Sequence, residues 1–195
     1  IIIAAISAWA FQRSIGIWLF ERAVERAASR DTLKGPPDGL HVGLCGTGSP
    51  LPNRERAAAC TVIIAGKTMI VVDAGEGAAR NIAQMGLPNG RIKALFLTHY
   101  HSDHIDGMGP MMLLRWTASG NTAPLPVYGP PGVEQVIAGF NAAYTLDNGH
   151  RTAHHGVEIT PPAAAGATAM PFAVPVTPTV VYEADGLRVT AFAVD

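Results

Sequence analysis

The chain has 195 residues, a length typical of one domain. Hydrophobic residues make up 48% and charged residues 15%, so the chain can bury a core and is not a disordered tail. The 21 glycines and 15 prolines argue against a simple helical bundle, and a formal net charge of -1 gives no basic excess of the kind that attracts nucleic acid through bulk electrostatics.

The N-terminal segment is unusually apolar. Residues 1–20 read IIIAAISAWAFQRSIGIWLF, which reaches membrane-spanning length only if Arg13 near its middle is tolerated. Apolar and charged positions from Ile15 to Arg30 follow the pattern of an amphipathic helix at an interface. We predict an N-terminal hydrophobic and amphipathic helix over residues 1–30 that anchors the protein to a membrane. The alternative is the N-terminal helix of a soluble, cytoplasmic protein.

A Gly/Pro-rich stretch, residues 31–39, is predicted to link this helix to a folded domain over residues 40–195. The domain opens with strands at 40–45, 60–65 and 68–72, the last two joined by a tight turn at Gly66-Lys67. Cys45 and Cys60 fall in two of these strands and are predicted to be buried small hydrophobes. A disulfide between them would form only in an oxidising compartment.

Strands and helices alternate in the remainder of the domain, which predicts a mixed sheet with helical cover. His150, His154 and His155 are predicted to lie in a polar loop near the mouth of a site. The remaining predicted elements are helices at 78–85, 105–116 and 133–144, strands at 92–97 and 126–128, a loop at 161–178, and a hairpin pairing 179–183 with 187–194.

Four candidate metal ligands lie close together at the end of a predicted strand. The segment THYHSDHIDG, Thr98 to Gly107, contains His99, His101, Asp103 and His104, and imidazole and carboxylate are suitable ligands for zinc and similar cations. His99 and His101 are two residues apart, so in an extended segment they point to the same side and can reach one ion. We predict a site for two divalent cations that activate a water molecule.

These residues, together with the upstream Asp73 in VVDAGEG, resemble the metallo-β-lactamase superfamily. The GTGSP and YGPPG segments are similar to its ribonuclease Z and arylsulfatase-like branch. The resemblance implies an α+β fold, a four-layer αββα sandwich of which this chain would be the N-terminal half. It implies that His99 and His101 bind one ion and Asp103 and His104 the other. It also implies that Asp103 is catalytic and handles a proton, and that Asp73 does not bind the ions itself but holds the segment from Thr98 to Gly107 in place by hydrogen bonds.

The family carries further ligands, two histidines and a bridging aspartate, that have no counterpart up to Asp195. The chain begins at Ile1 rather than Met and stops within the strand-like run LRVTAFAVD, so we expect a fragment. Because the four ligands leave each ion with too few protein partners, we expect the chain alone to bind metal weakly and to turn over little, and the parent protein to be active.

The resemblance implies a metallo-hydrolase that uses two divalent ions, with zinc favoured over manganese or iron, and phosphodiesters as the favoured substrates. One alternative is a hydrolase of another ester class, an aryl sulfate or a lactone, on the same metal core. The other is a membrane-anchored metal-binding protein without turnover. The expected partners are a small-molecule or nucleic-acid ester and, through residues 1–20, a membrane.

Overall fold

The computed structural model of the chain describes residues 11–28, 38–51, 53–118 and 120–194. Two compact units are present, residues 1–35 and residues 36–195, and each is described by itself.

The described part of the N-terminal unit is one helix, α1 (Gln12–Ala28). Its side chains of Ile15, Ile17, Trp18 and Leu19 are exposed, and the guanidinium carbon of Arg22 lies 5.2 Å from the ring centre of Trp18. No helix among the described residues is long and apolar enough to cross a membrane. The predicted helix over residues 1–30 and the linker over residues 31–39 both extend into stretches outside the described residues, so their boundaries stay predictions.

The larger unit is built on a six-stranded mixed sheet whose strands follow chain order. The first three strands form antiparallel pairs, and the third to the sixth run parallel. Strand 3 is apolar along its length and buried on both faces, as expected for the centre of a covered sheet. The strands are β1 (Leu40–Gly46), β2 (Cys60–Ala65), β3 (Thr68–Val72), β4 (Ile92–Phe96), β5 (Leu125–Gly129) and β6 (Ala167–Pro171).

Helices that pack against one another in series cover this sheet. Trp116, on one of these helices, has its side chain buried in the core, and its indole nitrogen donates a hydrogen bond to the carbonyl oxygen of Pro161. Arg115 is also buried, where it donates hydrogen bonds to the backbone oxygens of Ile92 and Ala123, and burial lowers its pKa. The helices are α2 (Ala78–Gln84), α3 (Ser102–Ile105), α4 (Met108–Ala118) and α5 (Val133–His155), with single 3₁₀ turns at Asn89–Arg91 and Pro162–Ala164.

A hairpin of β7 (Thr179–Ala184) and β8 (Leu187–Ala191) forms a second, two-stranded sheet, as predicted. Leu187 packs with Ile70 of β3 and with Ala94 and Phe96 of β4 in one apolar cluster. Edge strand β1, in contrast, presents an exposed apolar row made of Leu40, Val42 and Leu44. The described residues therefore form a mixed α/β fold with a central sheet and helices.

Three predicted boundaries are wrong. The helix predicted from Ile105 starts at Met108, because Gly107 lies in a turn that packs against the backbone of Gly75. The helix predicted to end at Tyr144 continues to His155, so the HRTAHH sequence is helical rather than a loop. The loop predicted at 161–178 contains β6, which pairs with β5.

The two cysteines are both buried, as predicted, but they are bonded to each other. The expectation of two free thiols is therefore wrong. Cys45 and Cys60 lie on neighbouring strands with Cα atoms 5.0 Å apart, at a register shift where β1 bulges. Their sequence separation is 15 residues, and closing a loop of that length in the unfolded chain stabilises the fold by about 3 kcal/mol.

Candidate metal centre

The predicted ligands lie where two parallel strands end side by side. β3 and β4 pair as far as Val72 and Phe96, and the backbone N–H of Asp73 then donates a 2.8 Å hydrogen bond to the carbonyl oxygen of Phe96. Carboxyl ends of parallel strands meet at one edge of a sheet, which is where side chains from different strands converge. Asp73 and the metal loop, defined as residues 98–107, are brought together in this way.

Asp73 is the best-connected carboxylate of the site. Oδ1 accepts hydrogen bonds from the backbone N–H of Thr98 (2.9 Å) and from its hydroxyl (3.0 Å), and Oδ2 lies 2.8 Å from Nδ1 of His104. The side chain is buried, and its backbone is in the left-handed region, with φ of 58°. A non-glycine residue in this region is uncommon and is held there by its surroundings.

The hydrogen-bond network assigns the proton positions on two imidazoles. If Thr98 donates its hydroxyl proton to Asp73, then Nδ1 of His99, which lies 3.0 Å from that hydroxyl oxygen, must be the donor. Nδ1 of His104 donates to Asp73 in the same manner. Both rings then keep a lone pair on Nε2, the form in which imidazole binds a metal ion.

The four predicted ligands form one cluster. The ring centroid of His99 lies 4.7 Å from that of His101 and 4.1 Å from that of His104. Nε2 of His104 lies 3.6 Å from Oδ2 of Asp103. Oδ1 of Asp103 is buried and has no hydrogen-bond partner among the described residues. A buried carboxylate oxygen without a partner is costly unless a proton or a cation reaches it, so the donor set fits a divalent cation.

The ligand atoms nevertheless contact one another instead of surrounding a common point. Nε2 of His99 lies 3.0 Å from Nδ1 of His101. Two nitrogens on one tetrahedral zinc ion are separated by about 3.3 Å, so this pair lies slightly closer than one zinc ion would hold it. Across the described parts of the chain, no group of three or more His, Cys, Asp or Glu side chains is already arranged to hold an ion.

Two glycines let the backbone pack closely behind the cluster. A Cβ atom on Gly107 would lie 2.0 Å from the carbonyl oxygen of Gly75, and a Cβ atom on Gly75 would lie 2.1 Å from that of Asp103. Hydrogen bonds of 2.8 Å join the Ala74 backbone to His104 and to Gly107. A glycine at position 107 therefore allows the backbone to pack closely behind the site.

Two further residues of the site, Thr98 and Tyr100, were not predicted from the sequence. Thr98 bridges Asp73 and His99, and its position directly before the first histidine was the only signal. The Tyr100 hydroxyl donates a hydrogen bond to the carbonyl oxygen of Pro130. Burial, aided by the negative charge of Glu134, raises the pKa of Tyr100 to about 12.

The second histidine group lies on helix α5. His150, His154 and His155 occupy the last turns of this 23-residue helix, whose first turn is next to Tyr100. The prediction that they lie in a polar loop is wrong, because the segment is helical, and their position relative to the mouth of a site stays a prediction.

Proteins named ribonuclease Z are among the relatives of this chain. That of Mycolicibacterium gilvum (strain PYR-GCK) is 41% identical over 125 residues, which are 63% of this chain and 44% of that protein. That of Mycobacterium bovis (strain BCG / Pasteur 1173P2) is 39% identical over 125 residues, 63% of this chain and 45% of that protein. The chain therefore spans less than half the length of these curated relatives.

Two solved structures are similar in fold. Human tRNase Z, short form, gives a TM-score of 0.57 at 21% identity and covers 77% of this chain and 57% of its own. A long form RNase Z from yeast gives a TM-score of 0.52 at 18% identity, covering 73% of this chain and 19% of its own. At these identities the similarity concerns the fold alone.

The sequence model of the metallo-beta-lactamase superfamily matches residues 53–191, more than half of the chain. The match spans Asp73, the whole metal loop and the strands that position them. This chain belongs to the metallo-beta-lactamase superfamily.

Proposed function

We propose that the protein containing this chain is a metal-dependent hydrolase that cleaves phosphodiester bonds. The observation that carries the proposal is the cluster in which His99 contacts His101 and His104 and His104 lies beside Asp103, whose buried Oδ1 has no partner among the described residues. The relatives named ribonuclease Z support the choice of substrate class, and their name makes an RNA phosphodiester the first candidate.

His99 and His101 would hold one divalent cation and Asp103 and His104 a second, with zinc favoured over manganese or iron. When bound, such cations supply Lewis acidity and lower the pKa of water. Asp103 would accept and return a proton through its carboxylate during attack on the ester. Asp73 would keep His104 and Thr98 in place through the hydrogen bonds described above.

The complete four-layer αββα sandwich is part of the same proposal. The exposed apolar row of Leu40, Val42 and Leu44 on β1 supports it, since a second sheet larger than the β7–β8 hairpin would cover that row.

A substrate panel tests the proposed activity. In the longest natural protein that contains this chain, we expect zinc-dependent hydrolysis of bis-p-nitrophenyl phosphate, and in the chain alone we expect little turnover. Turnover of an aryl sulfate or of a lactone should be slower by about 100-fold or more. Asp103→Asn should abolish the activity, and His154→Ala should leave it unchanged. Faster cleavage of the sulfate or the lactone would replace the phosphodiester assignment with that ester class. If metal is bound but no ester is turned over, the alternative of a metal-binding protein without turnover would be favoured.

We also propose that the N-terminal segment binds a membrane. Residues 1–11 are almost wholly apolar in sequence, and Phe11, Ile15 and Trp18 expose their side chains along one side of α1. Arg22, stacked on Trp18, suits a surface of anionic lipid.

Flotation with vesicles of phosphatidylcholine and phosphatidylglycerol tests this proposal. The chain should float with the vesicles, and the double variant Ile15→Glu/Trp18→Glu should float at least about tenfold less, since charges cannot enter the acyl region without cost. Leu146→Glu, at an exposed leucine on α5, is the matched control. A wild-type chain that stays in the aqueous fraction would favour the cytoplasmic alternative.

A further inference from the structure

Tyr100 lies between two predicted ligands of one ion but points away from them. Residues Thr98 to His101 belong to no helix or strand, so no ladder of backbone hydrogen bonds fixes them. Consecutive side chains of an extended segment alternate in direction, so with His99 and His101 on one side Tyr100 is on the other. Its contacts agree with this, since its hydroxyl reaches Pro130 and its ring faces Gly132.

The residues that receive this side chain, Gly129, Pro130 and Gly132, form what we call the Tyr100 socket. A Cβ atom on Gly129 would lie 2.9 Å from the phenol oxygen, and one on Gly132 would lie 3.3 Å from the ring. Gly132 also has a φ of 106°, a conformation that other residues rarely adopt, and α5 begins directly after it. The GPPG sequence thus provides both the space and the hydrogen-bond acceptor for this one tyrosine.

A second contact joins the same helix to the chain just beyond the metal loop. Gly109 in α4 packs against Tyr144 of α5 so closely that a Cβ atom would lie 2.2 to 2.4 Å from the phenol oxygen and ring carbons. The metal loop is therefore held against the turn that precedes α5, through Tyr100, and the chain just after the loop is held against α5 itself, through Gly109.

We propose that Tyr100 is a positioning residue for metal binding. Its packing and hydrogen bond in the Tyr100 socket set the distance between the imidazole rings of His99 and His101. The inference rests on the proposed function, since it requires these histidines to bind a cation. Tyr100 would not touch the ion or the substrate. It would restrict the backbone between the two imidazoles, so that their nitrogens stay near the spacing that one ion requires.

Cobalt titration of three single variants tests the inference. Co²⁺ bound by imidazole and carboxylate absorbs visible light, with an intensity that reports its geometry, and competition with a chromophoric chelator gives its affinity. Tyr100→Phe, which keeps the ring but loses the hydrogen bond, should weaken cobalt binding about 5-fold. Tyr100→Leu, which leaves the socket half empty, should weaken it about 50-fold and change the spectrum. Tyr182→Phe is the control, because it removes a phenol hydroxyl in the β7–β8 hairpin that has no hydrogen-bond partner among the described residues, and its affinity should stay within about twofold of wild type.

Thermal unfolding of the metal-free variants separates positioning from a general loss of stability. A graded loss of cobalt affinity across Phe and Leu, with metal-free Tyr100→Phe still folded, supports the inference. Cobalt affinity and spectrum unchanged in both Tyr100 variants, with only the melting temperature lowered, would overturn it while leaving the proposed function intact. The titrations use the longest natural protein that contains this chain, and a wild-type protein of that length that binds no cobalt would overturn the proposed function and this inference with it.

Discussion

Replacing both His99 and His101 by alanine is expected to weaken zinc binding by this chain about 100-fold or more. Each imidazole offers one metal-binding nitrogen, and the binding energy of a zinc site is shared among only a few ligands. Zinc retained after gel filtration, measured by mass spectrometry of the metal, gives the stoichiometry, and competition with a fluorescent chelator gives the affinity.

The chain provides a closely matched control for this experiment. His154 and His155 form a T-shaped ring pair with centroids 4.6 Å apart, almost the geometry of His99 and His101 at 4.7 Å. Alanine at both of these α5 positions should leave zinc binding unchanged. Equal losses in the two double variants, or full binding without His99 and His101, would refute the assignment of the metal loop.

Asp73→Asn is expected to lower the free energy of unfolding by about 4 kcal/mol, even without metal. The carboxylate accepts hydrogen bonds from Thr98 and His104 on both of its oxygens, and hydrogen bonds to a charged acceptor contribute about 1.5 to 3 kcal/mol each. An asparagine would turn an amide NH₂ toward donors. Urea denaturation followed by circular dichroism measures the change, and the melting temperature should fall by about 10 °C.

Backbone strain does not account for that loss, because asparagine adopts the left-handed conformation of position 73 as readily as aspartate does. Asp106→Asn, at an exposed carboxylate in the same metal loop, is the control and should change stability by less than about 0.5 kcal/mol. A stable Asp73→Asn variant would mean that the hydrogen bonds of Asp73 do not hold the loop.

The cluster of candidate ligands and most of the sheet could be predicted because the sequence patterns that indicate them are local. Mostly apolar runs of five or six residues bounded by turns define β2, β3 and β4. The turns at Gly66-Lys67 and Asp185-Gly186 are likewise indicated by adjacent residues in the sequence. The spacing of His99 and His101 at the end of β4 is equally local. The spacing predicts that these histidines lie close together, and the structure brings them into one cluster with His104.

The elements that were missed depend on partners distant in sequence. β6 has no apolar alternation and forms because it pairs with β5 and because the side-chain amide of Asn141 binds both the N–H and the carbonyl of Ala167. The second half of α5 has no buried face, and an ion pair between Asp147 and Arg151 runs along it instead. The role of Tyr100 likewise requires knowing that the GPPG turn lies beside the metal loop.

The covalent link between Cys45 and Cys60 constrains how this protein should be prepared. Both cysteines are buried, so a reductant such as dithiothreitol reaches their bond only when the first two strands separate, but once the bond is reduced those strands are no longer covalently joined. β1 would then be held by its backbone ladder to β2 and by a hydrogen bond from the Asn81 side chain to the carbonyl of Cys45. Purification without thiols, from a host compartment that oxidises cysteines, would keep the sheet edge as it is in this structure.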